Sequence, residues 1–178
     1  DGGWNCEAPK SARSSFHTTI CVLEGLLEYE RAVGSAPQFA TMIAAARRRG
    51  EEYLLKRALF RRLSTGEVVN PAFLKFAFPP RYHYDVLRAL DYLRDAHRNS
   101  EVQPDARISD ALYVVESRRQ ADGRWLLDDA HDEALAFPFG ESVGDPSRWN
   151  TLRALRVLRW YETRGDVSKE EGKSHCEP

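Results

Sequence analysis

The sequence predicts an all-α chain built from helix pairs. Apolar residues recur at helical spacing over several long stretches, and no segment alternates apolar and polar residues as a half-buried strand does. One helical motif also occurs three times: Leu23-Glu24-Gly25-Leu26, Leu87-Arg88-Ala89-Leu90 and Leu152-Arg153-Ala154-Leu155. The copies stand 64 and then 65 residues apart, and a fixed period marks a repeat architecture.

Before the first helix, Asp1 to Arg13 reads as loop, and Ser14 or Ser15 can accept from free helix amides. Phe16, Ile20, Leu23 and Leu27 then form the stripe of a first helix that Gly34 ends. Ser35 and Pro37 open a second, expected from Gln38 to Leu63, with Gly50 inside it. Its basic run Arg47-Arg48-Arg49 reads as a solvated face. Ser64 to Pro80 is a loop, but Phe73, Leu74, Phe76 and Phe78 make it too apolar to be merely solvated. It is expected to pack across an end of the helices. A third helix is expected from Tyr82 to Arg98, and a fourth from Ala106 to Gln120 with Ile108, Ala111, Leu112, Tyr113 and Val115 as its stripe. Asp122 to Asp145 is a long loop; Asp145 and Pro146 are expected to start a fifth helix that stops at Gly165. Asp166 to Pro178 reads as a disordered tail.

The bulk composition bounds the partners. A chain of 178 residues can bury a sizeable core. Lys and Arg (26) nearly balance Asp and Glu (27), so no global positive field draws the chain to nucleic acid. No apolar run approaches the roughly 18 residues of a transmembrane segment. Three cysteines, Cys6, Cys21 and Cys176, argue against a disulfide framework and for a reducing, cytoplasmic location. The start at Asp1-Gly2-Gly3-Trp4, with neither Met nor a signal peptide, reads as an excerpt of a longer chain.

Gln120-Ala121-Asp122-Gly123-Arg124-Trp125 reads Gln-x-x-Gly-x-Trp, with Tyr113-Val114-Val115 upstream. This resembles the QW repeat of the squalene and oxidosqualene cyclases and the related prenyltransferase β subunits. Arg49-Gly50-Glu51-Glu52-Tyr53-Leu54-Leu55 is similar to the front half of the same repeat, and Asp1-Gly2-Gly3-Trp4 to the tail of an earlier one. The resemblance covers residues 1–165 and implies an α/α toroid. Five or six helices would make a partial ring of helix pairs, with the Leu-x-small-Leu helices as its inner wall. Small residues at Gly25, Ala89 and Ala154 would let helices approach closely. The Gln and Trp would tie helix ends to the following turn. An arc leaves inner faces open, which implies self-association or missing chain.

The resemblance also directs attention to the starts of the inner helices. Trp4, His17, Tyr82, His83, Asp85, Trp149 and Asn150 would converge on one mouth of a cavity and line an apolar, isoprenoid-like ligand. Prenyltransferase β subunits hold zinc there, so His17, Cys21 and Asp85 are weak metal candidates. No Asp-x-Cys is present, and no other cofactor is expected. The cyclase acid Asp-x-Asp-Asp is absent; Asp128-Asp129-Ala130-His131-Asp132-Glu133 lacks its pattern and reads as a solvated acidic loop or a weak cation site. Asp85, a carboxylate among Tyr and His, needs a partner, from Arg88 or a neighbouring helix. The expected function is a cyclase- or prenyltransferase-like repeat domain. A non-catalytic repeat assembly module and a zinc-dependent prenyl transferase are the alternatives.

Overall fold

The computed structural model describes residues 1–33, 37–100, 102–131, 137 and 139–171. It is mostly helical: α1 (Phe16–Val33), α2 (Pro37–Leu55), α3 (Val86–Ala96), α4 (Ser109–Ser117) and α5 (Arg148–Glu171). The absence of strand needs a small correction. β1 (Trp125–Leu126) and β2 (Pro146–Ser147) pair antiparallel, Trp125 opposite Ser147. Strands this short carry no alternation to read.

α2 packs on α1 and α4 on α3, while α3 also touches α1 and α5. The three Leu-x-small-Leu helices are therefore neighbours around one core. Their contacts follow the sequence period. Arg88 of α3 donates twice to the Glu24 carboxylate of α1, at 2.8 and 2.6 Å, across 64 residues. Arg31 of α1 meets Asp95 of α3 at 2.7 Å. Arg156 of α5 donates to Asp91 of α3 at 2.9 and 2.5 Å, across 65 residues. Equivalent positions of successive copies thus stand side by side.

The helix ends explain most departures from expectation. Ser15 Oγ accepts from Thr18 N–H at the start of α1, as the sequence suggests. Gly34 and Ser35 lie outside the described residues. α2 stops at Leu55, not Leu63, because Ala58 (φ 43°) and Leu59 (φ 67°) turn left-handed. The turn buries Leu59 and Phe60 in the core, which offsets the strain of about 1–2 kcal/mol per residue. Arg47 is not solvated: it reaches Glu30, Glu51 and Tyr92, while Arg48 and Arg49 are exposed. α3 begins at Val86, so Tyr82 to Asp85 form the approach to the helix and Asp85 its cap. Before it, Phe73 packs edge-on against the rings of His17 and Tyr84 and tilted against Phe16, which anchors the apolar loop as expected. α4 is short and Tyr113 is exposed on it, outside the core stripe. At α5, Ser147 rather than Asp145 supplies the cap: its Oγ accepts from Asn150 N–H at 3.2 Å. α5 continues past Gly165 to Glu171, since one interior glycine costs only about 1 kcal/mol. The remainder of the expected tail, 172–178, lies outside the described residues.

The Gln-x-x-Gly-x-Trp segment does what its residue types suggest. The fully buried Trp125 donates its indole N–H to Val115 O at 2.7 Å. Gln120 donates to Arg118 O at 2.9 Å, so both close the carbonyl end of α4. Ala89 and Ala154 are fully buried between helices, but an added Cβ at Gly25 would meet nothing within 4 Å. Close approach explains two of the three small residues and not Gly25.

Candidate functional site: the groove between the repeat helices

A groove of about 370 Å³ runs between α1, α3, α5 and the loop that carries Phe78 and Pro80. Its apolar wall is Leu27, Phe78, Trp149 and Leu152. The Phe78 and Trp149 rings stack at 5.0 Å with 6° between planes, and Phe139 closes edge-on against Phe78 at 5.2 Å. The Trp149 indole N–H is buried without an acceptor among the described residues.

The facing side is charged and ordered. Asp91 accepts from Arg156, and from Arg94 at 2.9 Å, with Arg153 Nε at 3.7 Å. Arg153 is almost fully buried; it donates to Ala77 O and Asn150 Oδ1, each at 3.2 Å, and lies 3.8 Å from Asp85. Asp85 Oδ1 accepts from Arg88 N–H at 2.7 Å. The partner expected for Asp85, from Arg88 or a neighbouring helix, comes from each: the Arg88 backbone N–H, and Arg153 of α5. Burial still holds the Asp85 carboxyl above the usual carboxylate range, against the opposing charges of Arg153 and Arg88.

A second cluster gathers at the start of α1. His17 Nδ1 accepts from Tyr84 N–H at 2.9 Å, so the neutral ring carries its proton on Nε2. The His83 ring lies 4.0 Å from Tyr82, stacks on His131 at 3.7 Å and stands 5.9 Å from His17. Burial, then the nearby His83, pushes the His17 pKa down. His17, Cys21 and Tyr82 border a separate, wider recess of about 620 Å³ beside Cys6.

The seven expected lining residues therefore separate. Trp149 lines the groove, and His17, Tyr82 and His83 lie together beyond it. Asp85 is a buried cap. Asn150 is fully buried and donates to Phe76 O and Leu126 O at 2.9 and 3.0 Å, which ties the loop and β1 to α5. Trp4 packs over Gly50 of α2, so close that an added Cβ there would stand 2.4 Å from its ring.

The weak zinc candidates are each engaged within the chain. His17 Nδ1 is engaged, Cys21 Sγ donates to Tyr82 O at 3.8 Å and receives Arg88 Nη2 at 3.6 Å, and Asp85 caps α3. Among the described residues no group of three or more His, Cys, Asp or Glu is placed to hold a metal ion. In the acidic loop, Asp128 accepts from Phe76 N–H and Arg118 at 2.8 and 2.9 Å, so it is a structural tie rather than a solvated charge. Asp132 and Glu133 lie outside the described residues.

Sequence reasoning missed the charged half of the groove. The signal was present: within the repeated motif, the residue after the first Leu is Glu24, Arg88 and Arg153 in turn. Aligned copies with opposite charges in one slot anticipate pairing between neighbouring helices. Comparison with protein-family models, curated proteins and solved structures returns no match.

Proposed function

We propose that the chain is a squalene-cyclase/prenyltransferase-like α/α-toroid repeat domain, a partial ring, whose groove binds an apolar, isoprenoid-like small molecule with a polar end. One observation carries the reading: the stacked Phe78–Trp149 wall continues into Leu27 and Leu152, opposite a fixed arginine–carboxylate network. Such a surface suits an amphipathic molecule. A pure hydrocarbon would leave the charged side unmatched, whereas a hydroxyl or anionic end can share Arg153 or Arg156 with Asp91. Catalysis is not part of the proposal. Asp85 has the raised pKa of a proton donor, but its carboxylate is committed to capping α3. The proposed partner is the small molecule; the non-catalytic assembly reading is favoured separately by the exposed leucines of α5.

Calorimetric titration with farnesol, a C15 isoprenoid alcohol, tests this. Saturable binding is expected, weakened at least about ten-fold, or roughly 1.4 kcal/mol, by Phe78→Ala and by Leu152→Asp. Absence of saturable heat, or binding by both variants as tight as the parent's, would overturn the reading.

A further inference from the structure

We infer that a recess at the C-terminal end of α3 binds a small organic ammonium, an amine with an apolar body. It is separate from the groove, and the inference does not rest on the groove's ligand. The recess has a volume of about 250 Å³ and lies where the ends of α2 and α3, the turn at 106–108 and α5 meet. Leu55, Leu93, Ile108 and Trp160 form its apolar side. Glu51, 6% exposed, forms its polar floor, and His97 borders it with a side chain 43% exposed.

The floor carries unbalanced charge. Glu51 Oε1 accepts from the Tyr92 hydroxyl at 2.7 Å and from Arg47 at 3.1 Å. Arg47 also donates to Glu30, so one guanidinium serves two carboxylates. Tyr92 adds a hydrogen bond without charge, because burial pushes its pKa up and keeps the phenol neutral. Burial works to raise the Glu51 carboxyl too, but hydrogen bonds from His97 and Tyr92 and the charge of Arg47 hold it below its usual value. Glu51 is therefore ionised at neutral pH. Its second oxygen, Oε2, meets His97 Nε2 at 3.3 Å. Because His97 lines the recess, Oε2 is the oxygen on that side.

The lining selects the sign of the ligand. Among the described residues that border the recess are two acids, Glu51 and Asp105, and no Lys or Arg. Asp105 is matched by Arg107 at 2.7 Å. Arg164 of α5 donates to Arg98 O and Ser100 O, so it fixes the rim and not the floor. An ammonium at Oε2 balances the floor. Its carbons then lie on the leucine and isoleucine side chains, and the Trp160 ring offers a π face to the cation. A benzene ring fits a cavity of about 150 Å³, so the recess has room for an aryl ring and a short amine arm. The groove offers different chemistry, since Arg88, Arg94, Arg153 and Arg156 line it.

Isothermal titration calorimetry with 2-phenylethylammonium chloride tests this. The parent chain should bind it saturably. 2-Phenylethanol keeps the ring and loses the charge, and should bind at least about ten-fold more weakly. Glu51→Gln keeps an acceptor for Tyr92 and removes the charge. It should weaken the ammonium at least about ten-fold, with unchanged helical circular dichroism. If that variant loses its helical signal, Trp160→Leu, at a partly buried position, takes its place and should weaken the ammonium at least about three-fold. No saturable heat with the parent chain would overturn the inference. So would binding of the alcohol as tight as that of the ammonium, or a folded variant of either kind that binds as tightly as the parent.

Discussion

Asp85 serves two demands that conflict. Its carboxylate caps α3, yet burial makes its charge costly. A raised carboxyl pKa favours the folded state below the unfolded value of 3.8, and that contribution is lost as pH rises through the folded value. At neutral pH, Asp85→Asn keeps an acceptor for Arg88 N–H and removes the buried charge. It should unfold in urea at the same or a higher midpoint than the parent chain, whereas Asp85→Ala should lose about 1 kcal/mol with the cap. His17 behaves oppositely. Its lowered pKa makes the neutral ring the folded form, so stability is full above 6.5 and falls as pH drops through the folded value. The urea midpoint should fall between about pH 7.5 and about pH 5.5. His17→Asn, whose amide oxygen can accept from Tyr84 N–H, should show a smaller fall. Equal falls would remove His17 from the pH response.

Two helix glycines have opposite surroundings, and the sequence pattern could not separate them. Alanine normally stabilises an exposed helix position by about 1 kcal/mol over glycine. Gly25 meets no neighbour within 4 Å, so Gly25→Ala should realise that gain. At Gly50 a Cβ would stand 2.4 Å from the Trp4 ring and 2.9 Å from Leu23. Gly50→Ala should therefore destabilise by about 1–3 kcal/mol through overpacking. Equal effects in thermal melts would refute the Trp4 contact. The same contrast shows how legible the elements were. The bodies of α1, α3 and α5 followed from their stripes, which depend only on residues within a few turns. The end of α2 did not, because the left-handed turn at Ala58 and Leu59 is imposed by the burial of Leu59 and Phe60. The β1–β2 pair depends on two segments about twenty residues apart meeting, a contact that local pattern does not encode.

Across the whole molecule the repeat was legible and the groove only half so. Periodicity exposed the three helices, and the start of α5 pointed to Trp149. The arginines and carboxylates stayed hidden because each is unremarkable within its own helix. The Glu24–Arg88 and Asp91–Arg156 pairs form only when copies 64 or 65 residues apart are placed side by side. That lateral pairing lines the groove between helices. Its most direct test is a double-mutant cycle on Glu24 and Arg88, which join α1 to α3. Urea unfolding of Glu24→Ala, Arg88→Ala and the double variant should give a coupling of about 1–3 kcal/mol. Additivity to within about 0.3 kcal/mol would contradict the pairing of equivalent positions.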